Sequence, residues 1–231
     1  MMMKTSIKKY AAITAIILYW LWLIYKCIHF PNRKPESIQL AVVYSIAEGL
    51  LVTVIVGGLL FLEKLSFLQL LKKDFNRSAI LHGLKWALIS FIGLNFVISP
   101  LSQIISSVFQ LQMPPADENI RYLFKDSLAP VYWILISLIG GGFAEEVIRI
   151  FSLVSFEKAF GRKGLYVALI ISSTLFGLGH IYQGPSGVIM NFFAGLFWGL
   201  LFVKRRNVIT NIVTHGVYDL IGSLIACYLY K

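Results

Sequence analysis

Ala129-Pro130-Val131-Tyr132-Trp133-Ile134-Leu135-Ile136-Ser137-Leu138-Ile139-Gly140-Gly141-Gly142-Phe143-Ala144-Glu145-Glu146-Val147-Ile148-Arg149 is an apolar run that ends in two adjacent carboxylates and an arginine. A run of this length and composition is a membrane-crossing helix, since a helix of about 20 apolar residues spans a hydrocarbon core of roughly 30 Å. Ionisable residues at bilayer depth cost several kcal/mol each, so they are rare there and mark functional sites. The other apolar stretches that hold interior His or Asp contain His180, and then His215 with Asp219. Two carboxylates, an arginine, two histidines and an aspartate inside apolar segments have the composition of a buried hydrolytic site.

The chain around this run is equally apolar. Of 231 residues, 58% are hydrophobic and 14% charged, which excludes an ordinary soluble domain. Seven stretches read as spans: about 10–26, 38–62, 79–101, 129–154, 164–183, 186–203 and 207–230. In lipid each must satisfy its own backbone hydrogen bonds, which makes them helices. Strand-like alternation is absent, so a β-barrel is not supported. The expected fold is all-α, a polytopic membrane bundle of about seven transmembrane helices. Residues 1–127 form its N-terminal part, with an interfacial helix at 63–78, and residues 128–231 form its core.

The net charge of +10 does not indicate nucleic acid. The lysines and arginines cluster in short loops, as topology signals do. Lys4, Lys8 and Lys9 precede the first span, and Lys64, Lys72, Lys73 and Arg77 follow the second. Lys158, Arg162 and Lys163 follow the fourth, and Lys204, Arg205 and Arg206 follow the sixth. These clusters place the N-terminus inside and the loop 112–128 outside, and imply a multi-pass protein of the cell membrane. Lys26, Arg33 and Lys34 fall in an outer loop and run against the rule. No small-residue cleavage site follows the first span, which is read as a retained anchor. Cys27 and Cys227 are too few for a disulfide framework and are read as free thiols, with one bridge between them as the alternative, since this topology puts both near the outer face.

Spacing sorts the polar residues. His215 and Asp219 are four apart and share a helix face, and Asn207 and Asn211 extend that polar stripe upstream. Phe176 shares a face with His180. Adjacent glutamates diverge by about 100° around a helix axis, so one can enter a cavity while the other pairs with Arg149. Peptide hydrolysis needs a base to activate water and donors to hold the oxyanion. Glu145 is the expected base, supported by Glu146 and Arg149, with His180 sharing the water and His215 with Asp219 at the oxyanion. Phe176 and Asn211 are candidate substrate-binding residues. Glu145, His180 and His215 are equally acceptable zinc ligands, and the residues alone leave the metal-free and zinc mechanisms open. Gly195-Leu196-Phe197-Trp198-Gly199 reads as a close-packing motif. Glu48, inside the second span, reads as a structural pairing with a lysine or hydroxyl, with a substrate-path residue as the alternative. His82 and Lys85 read as interfacial and His29 as a loop residue.

Three short motifs together resemble the CPBP family of intramembrane proteases, which includes the CAAX prenyl endopeptidases and bacterial bacteriocin-processing and self-immunity proteins. Glu145-Glu146-Val147-Ile148-Arg149 matches the glutamate pair and arginine, Phe176-Gly177-Leu178-Gly179-His180 the Phe-x-x-x-His motif, and His215-Gly216-Val217-Tyr218-Asp219 the His-x-x-x-Asn/Asp motif. The resemblance covers roughly 128–225. It implies an intramembrane endopeptidase acting on a peptide or protein within the bilayer. One departure stands out: the family usually has three residues between the glutamate pair and the arginine, and this chain has two. Two rivals are weaker. Gly184-Pro185-Ser186-Gly187 matches a rhomboid-type Gly-x-Ser-Gly but is an ordinary turn sequence. A non-catalytic immunity or transport protein would use the same polar residues as a docking groove or path.

Overall fold

The computed structural model describes residues 2–29, 36–62, 67–111 and 121–230. Among these every regular element is helical. The chain runs through α1 (Met2–His29), α2 (Ile38–Leu62), the short α3 (Phe67–Asp74) and α4 (Arg77–Gly93). A π-helical turn, Leu94–Ile98, leads without a break into α5 (Ser99–Val108). After a 3₁₀ turn at Arg121–Phe124 come α6 (Ala129–Leu135), a ten-residue π-helix (Ile136–Glu145), α7 (Glu146–Gly179), α8 (Gly184–Arg205) and α9 (Val208–Leu229). His29, expected in a loop, is the last residue of α1.

Among the described residues, four helical stretches are long and apolar enough to cross a membrane: Ile38–Leu60, Arg77–Val108, Ile181–Arg205 and Val208–Leu229. Ala11–Tyr25 is a shorter apolar helix. The protein is thus a multi-pass helical membrane protein, with four of the seven expected spans singled out by length and composition. Expected spans 129–154 and 164–183 look different for a physical reason. The first carries Glu145, Glu146 and Arg149, and the second ends as a helix at Gly179. The two are the limbs of one hairpin. Gly161, at φ 65° and ψ −157°, breaks α7 between them, a backbone conformation open to glycine and strained for other residues. The limbs fold back on each other, because Arg149 on one lies over the Phe176 ring on the other, 4.5 Å from its centroid.

Helix starts follow local chemistry. The side-chain oxygen of Asn76 accepts from Ala79 N at 2.9 Å to begin α4, and that of Asn207 accepts from Thr210 N at 2.8 Å to begin α9. Pro100, Pro130 and Pro185 lie in the first turns of α5, α6 and α8, where the missing N–H costs nothing.

The hairpin is the centre of the bundle. Ile13, Ile16 and Trp20 of α1 pack on Ile150, Leu153, Phe156 and Leu169. Val52, Val56 and Leu60 of α2 pack on Ala144, Val147 and Ile148. Large apolar side chains such as Val54, Phe96, Val97 and Val108 remain exposed around the outside, where lipid would cover them. At one end, Arg206 donates to both carboxylate oxygens of Glu157. Asp74 accepts there from Val208 N at 2.7 Å. These contacts bring the basic clusters at 72–77, 158–163 and 204–206 to the same end. At the opposite end, Gln39 donates to Asp126 at 3.0 Å, and Ile38, Leu123, Phe124 and Cys227 form a cluster. Cys227 is buried. The side chain of Cys27, and residues 30–35, 63–66 and 112–120 of the expected loops and interfacial helix, lie outside those described.

Candidate active site

The π-helix 136–145 delivers the glutamate pair. π-helical turns are uncommon and concentrate at functional sites. Glu145 is its last residue and Glu146 the first of α7. The run Gly140-Gly141-Gly142 lets this segment lie against α9. A Cβ on Gly141 would fall 2.1 Å from Asp219 Oδ2 and 3.3 Å from His215 Nε2. Any side chain there would occupy the space that the two motif residues fill.

The two glutamates have diverged as their spacing predicts. The Glu146 side chain is fully buried, while that of Glu145 is 28% exposed. Glu146 is held from three directions. Arg149, one turn along α7, donates to its Oε1. His215 of α9 approaches Oε1 through Nδ1 at 3.0 Å, and Asn211 donates to Oε2 at 3.0 Å. Asn211 gives its second N–H to the backbone carbonyl of Trp198 at 2.7 Å. Asn211 is therefore buried behind Glu146 and fastens α7 to α8 and α9, away from the cavity where substrate binding was expected of it.

His215 is the hub. Its Nε2 lies 3.3 Å from Asp219 Oδ2 and 3.6 Å from Glu145 Oε2. The imidazole stacks on Trp198 with ring centroids 3.7 Å apart, and meets Phe176 edge-on at 5.7 Å. Both ring nitrogens thus face carboxylate oxygens. A neutral imidazole carries one N–H, so satisfying both contacts takes one more proton, on the ring or on a facing carboxyl. The Arg149 guanidinium lies over Phe176 and within 5.7 Å of the Trp198 ring centroid. Two aromatic faces thus enclose the arginine and the histidine at once, and cation–π attraction adds to the ion pair.

His180 closes the hairpin end. Its Nδ1 lies 2.8 Å from the Phe176 carbonyl, which makes Nδ1 the donor and leaves Nε2 as an acceptor. Its ring meets Phe176 at 4.7 Å. Glu145, His180, His215, Asp219 and Phe176 all line one cavity of about 440 Å³. Glu146 and Arg149 stand behind its wall. Ser186 of the Gly-x-Ser-Gly turn is absent from the lining and sits in the first turn of α8. Among the described residues, no three His, Cys, Asp or Glu side chains form a group that would hold a metal ion. Glu145, His180 and His215 share the cavity without making such a set.

Sequence reasoning missed Trp198 and Ser137 as site residues, and singled out Glu48. Trp198 lies inside the glycine-spaced motif that brings α8 against α7, where Gly199 faces Leu169 and Gly195 faces Ser173 and Phe176. A tryptophan on that close-packed face was the available signal. Glu48 lines the cavity from α2. Ala41, Tyr44 and Ser45 precede it at helical spacing, so a polar stripe on α2 was legible.

The chain matched no curated protein and no solved structure. Residues 127–221 match the family model described as type II CAAX prenyl endopeptidase Rce1-like. That segment begins just before α6 and ends within α9, and it holds all three motifs. The likeness to that family is confined to residues 127–221 and is in keeping with the CPBP resemblance of the motifs they carry.

Proposed function

We propose that this protein is an intramembrane endopeptidase in which Glu145 activates the attacking water. The observation that carries the reading is the division of labour between the glutamates: Glu145 reaches the cavity, while Glu146 is buried under Arg149, Asn211 and His215. Glu145 takes a proton from a water shared with His180 Nε2. The resulting hydroxide attacks the peptide carbonyl carbon. His215, braced by Glu146 and Trp198, turns its Nε2–H from Asp219 to the developing oxyanion. When the intermediate collapses, the C–N bond breaks and Glu145 returns its proton to the leaving amine. Asp219 holds His215 in register between turnovers. This sequence uses the chain's own groups and no metal. Residues 128–231 are the protease core, and 1–127 wrap it and contribute cavity wall. The protein resides in the cell membrane with its N-terminus and basic loops in the cytoplasm, and its substrate is a peptide or protein segment within the bilayer.

The test is cleavage of a fluorogenic peptide library by purified protein in detergent. Glu145→Gln and His180→Ala are expected to abolish cleavage while leaving expression and insertion intact. Activity surviving both would overturn the enzyme reading and favour a binding-only immunity or transport role. A strong chelator is expected to leave activity unchanged. Activity lost on chelation and restored by zinc would overturn the metal-free mechanism.

A further inference from the structure

Trp133, Ser137, Gly141 and Glu145 recur every fourth residue along α6 and the π-helix, and all of them line the cavity. The proposed mechanism uses Glu145 and leaves Trp133 and Ser137 over. Ser137 is 1% exposed, and its hydroxyl has no hydrogen-bond partner among the described residues. Elsewhere in the bundle, Ser45, Ser90, Ser152 and Ser173 turn their hydroxyls back to a carbonyl three or four residues earlier. The indole N–H of Trp133 is likewise buried, without a partner among the described residues. Its ring stacks on that of Phe124, with centroids 4.9 Å apart and planes 11° from parallel, and Phe124 is itself buried. The stack fixes the plane of the indole and with it the direction of the N–H.

The chemistry of the pair restricts what it can hold. An indole N–H only donates, so its partner must be an acceptor, and every peptide brings acceptors as main-chain carbonyls. The spacing matches as well. Four residues of helix advance about 6 Å. Two residues of an extended chain advance about 6.6 Å and return a carbonyl to the same edge. Ser137 stands eight residues before Glu145, at most about 12 Å along the axis, which roughly three or four extended residues cover. Water can serve both donors between substrates, and a carbonyl that displaces it reproduces its hydrogen bond.

We propose that Ser137 and Trp133 form a main-chain docking site, in which the Ser137 hydroxyl and the Trp133 indole N–H donate to two substrate carbonyls, two residues apart, on one side of the scissile bond. This rests on the endopeptidase reading. The substrate segment then lies extended along the α6 wall, from Glu145 toward the end where Phe124 and Trp133 pack together. A segment still coiled as a helix brings carbonyls already bonded to its own N–H groups. Main-chain recognition is indifferent to side-chain identity. The site therefore selects an unwound segment of roughly five or six residues beyond the cut, rather than a side-chain motif.

The test is an amide-to-ester scan of the library peptide that the Glu145→Gln protein binds most tightly, since an ester carbonyl accepts a hydrogen bond more weakly than an amide. Binding is read by anisotropy on the Glu145→Gln protein, and KM, kcat and the position of the cut on the wild type. Esters at two bonds, two residues apart and on one side of the cut, are expected to raise Kd and KM about 5-fold each with kcat unchanged. Ser137→Ala is expected to remove the penalty of the ester nearer the cut, and Trp133→Phe that of the farther one. A flat scan, penalised bonds at any other spacing, or penalties that survive the substitutions would overturn the proposal, as would a library with no peptide bound. The scan on the protein with Ser137 and Trp133 intact does not depend on the folding of those variants. The ester pattern in binding, with no peptide cleaved by the wild type, would defeat the endopeptidase reading while leaving the docking site standing. Cleavage with a flat scan would do the reverse.

Discussion

Arg149 is the residue at which this chain departs from the usual spacing of the family its motifs resemble, and the structure shows where the shift puts it. Three positions after Glu146, it reaches that carboxylate within one helical turn and is buried with it. A buried charge is tolerated when it is paired and hydrogen-bonded, and removing one partner of such a pair costs about 3–5 kcal/mol. Arg149→Met should therefore lower thermal stability in detergent as well as activity, and Arg149→Met/Glu146→Gln should recover much of the stability without the activity. Equal stability of Arg149→Met and wild type would show that the pair does not brace the site. The paired glutamates, the arginine and the motif histidines were legible because polar residues stand out against an apolar background. Trp198 was not. A tryptophan in a membrane helix is unremarkable until its partner is known, and only the fold shows that its ring lies against His215.

Among the elements, the α7 hairpin and the start of α9 are tied together at the basic end. Glu157, on the first limb, is hydrogen-bonded by Arg206, which holds its carboxyl below the usual carboxylate range, and Arg206 is raised in turn. A depressed folded-state value means stability that is present above the unfolded carboxylate value and lost as pH falls through the folded one. Both side chains are partly exposed, so solvent screening limits the contribution to about 0.2–1 kcal/mol. Melting temperatures measured at neutral pH and below the carboxylate range should show a small acid loss that Glu157→Gln removes. An acid loss of the same size in Glu157→Gln would place its origin elsewhere. At this scale the sequence was informative about helices and vague about their junctions. Composition located 38–62 and 186–203 well, because uninterrupted apolar runs have one reading. It could not reveal that 136–145 winds as a π-helix, whereas the basic loop between the expected spans 129–154 and 164–183 did mark the stretch where α7 turns at Gly161. Along the π-helix, Gly140 meets Ser45 of α2 and Gly142 meets Ile212 and Gly216 of α9, contacts that no local pattern encodes.

For the whole molecule, the proposed orientation rests on the basic loops gathered at one end. In intact cells, a membrane-impermeant maleimide should label Tyr122→Cys and spare Lys158→Cys, each on a cysteine-free background. The opposite pattern would invert the orientation and leave the site untouched. The three-way tethering of Glu146 has a further consequence, for the order of events in biogenesis. The helix that bears the glutamates leaves the ribosome before α9, which carries the Asn211 and His215 that hold Glu146. Until the last helix is threaded into place, the nascent protein carries costly ionised groups with only Arg149 to meet them. Its cavity also lacks the wall formed by His215 and Asp219 until then. Insertion of the final segment therefore completes the fold and the cavity together, so that on the proposed mechanism a half-made chain would not cut its neighbours in the membrane.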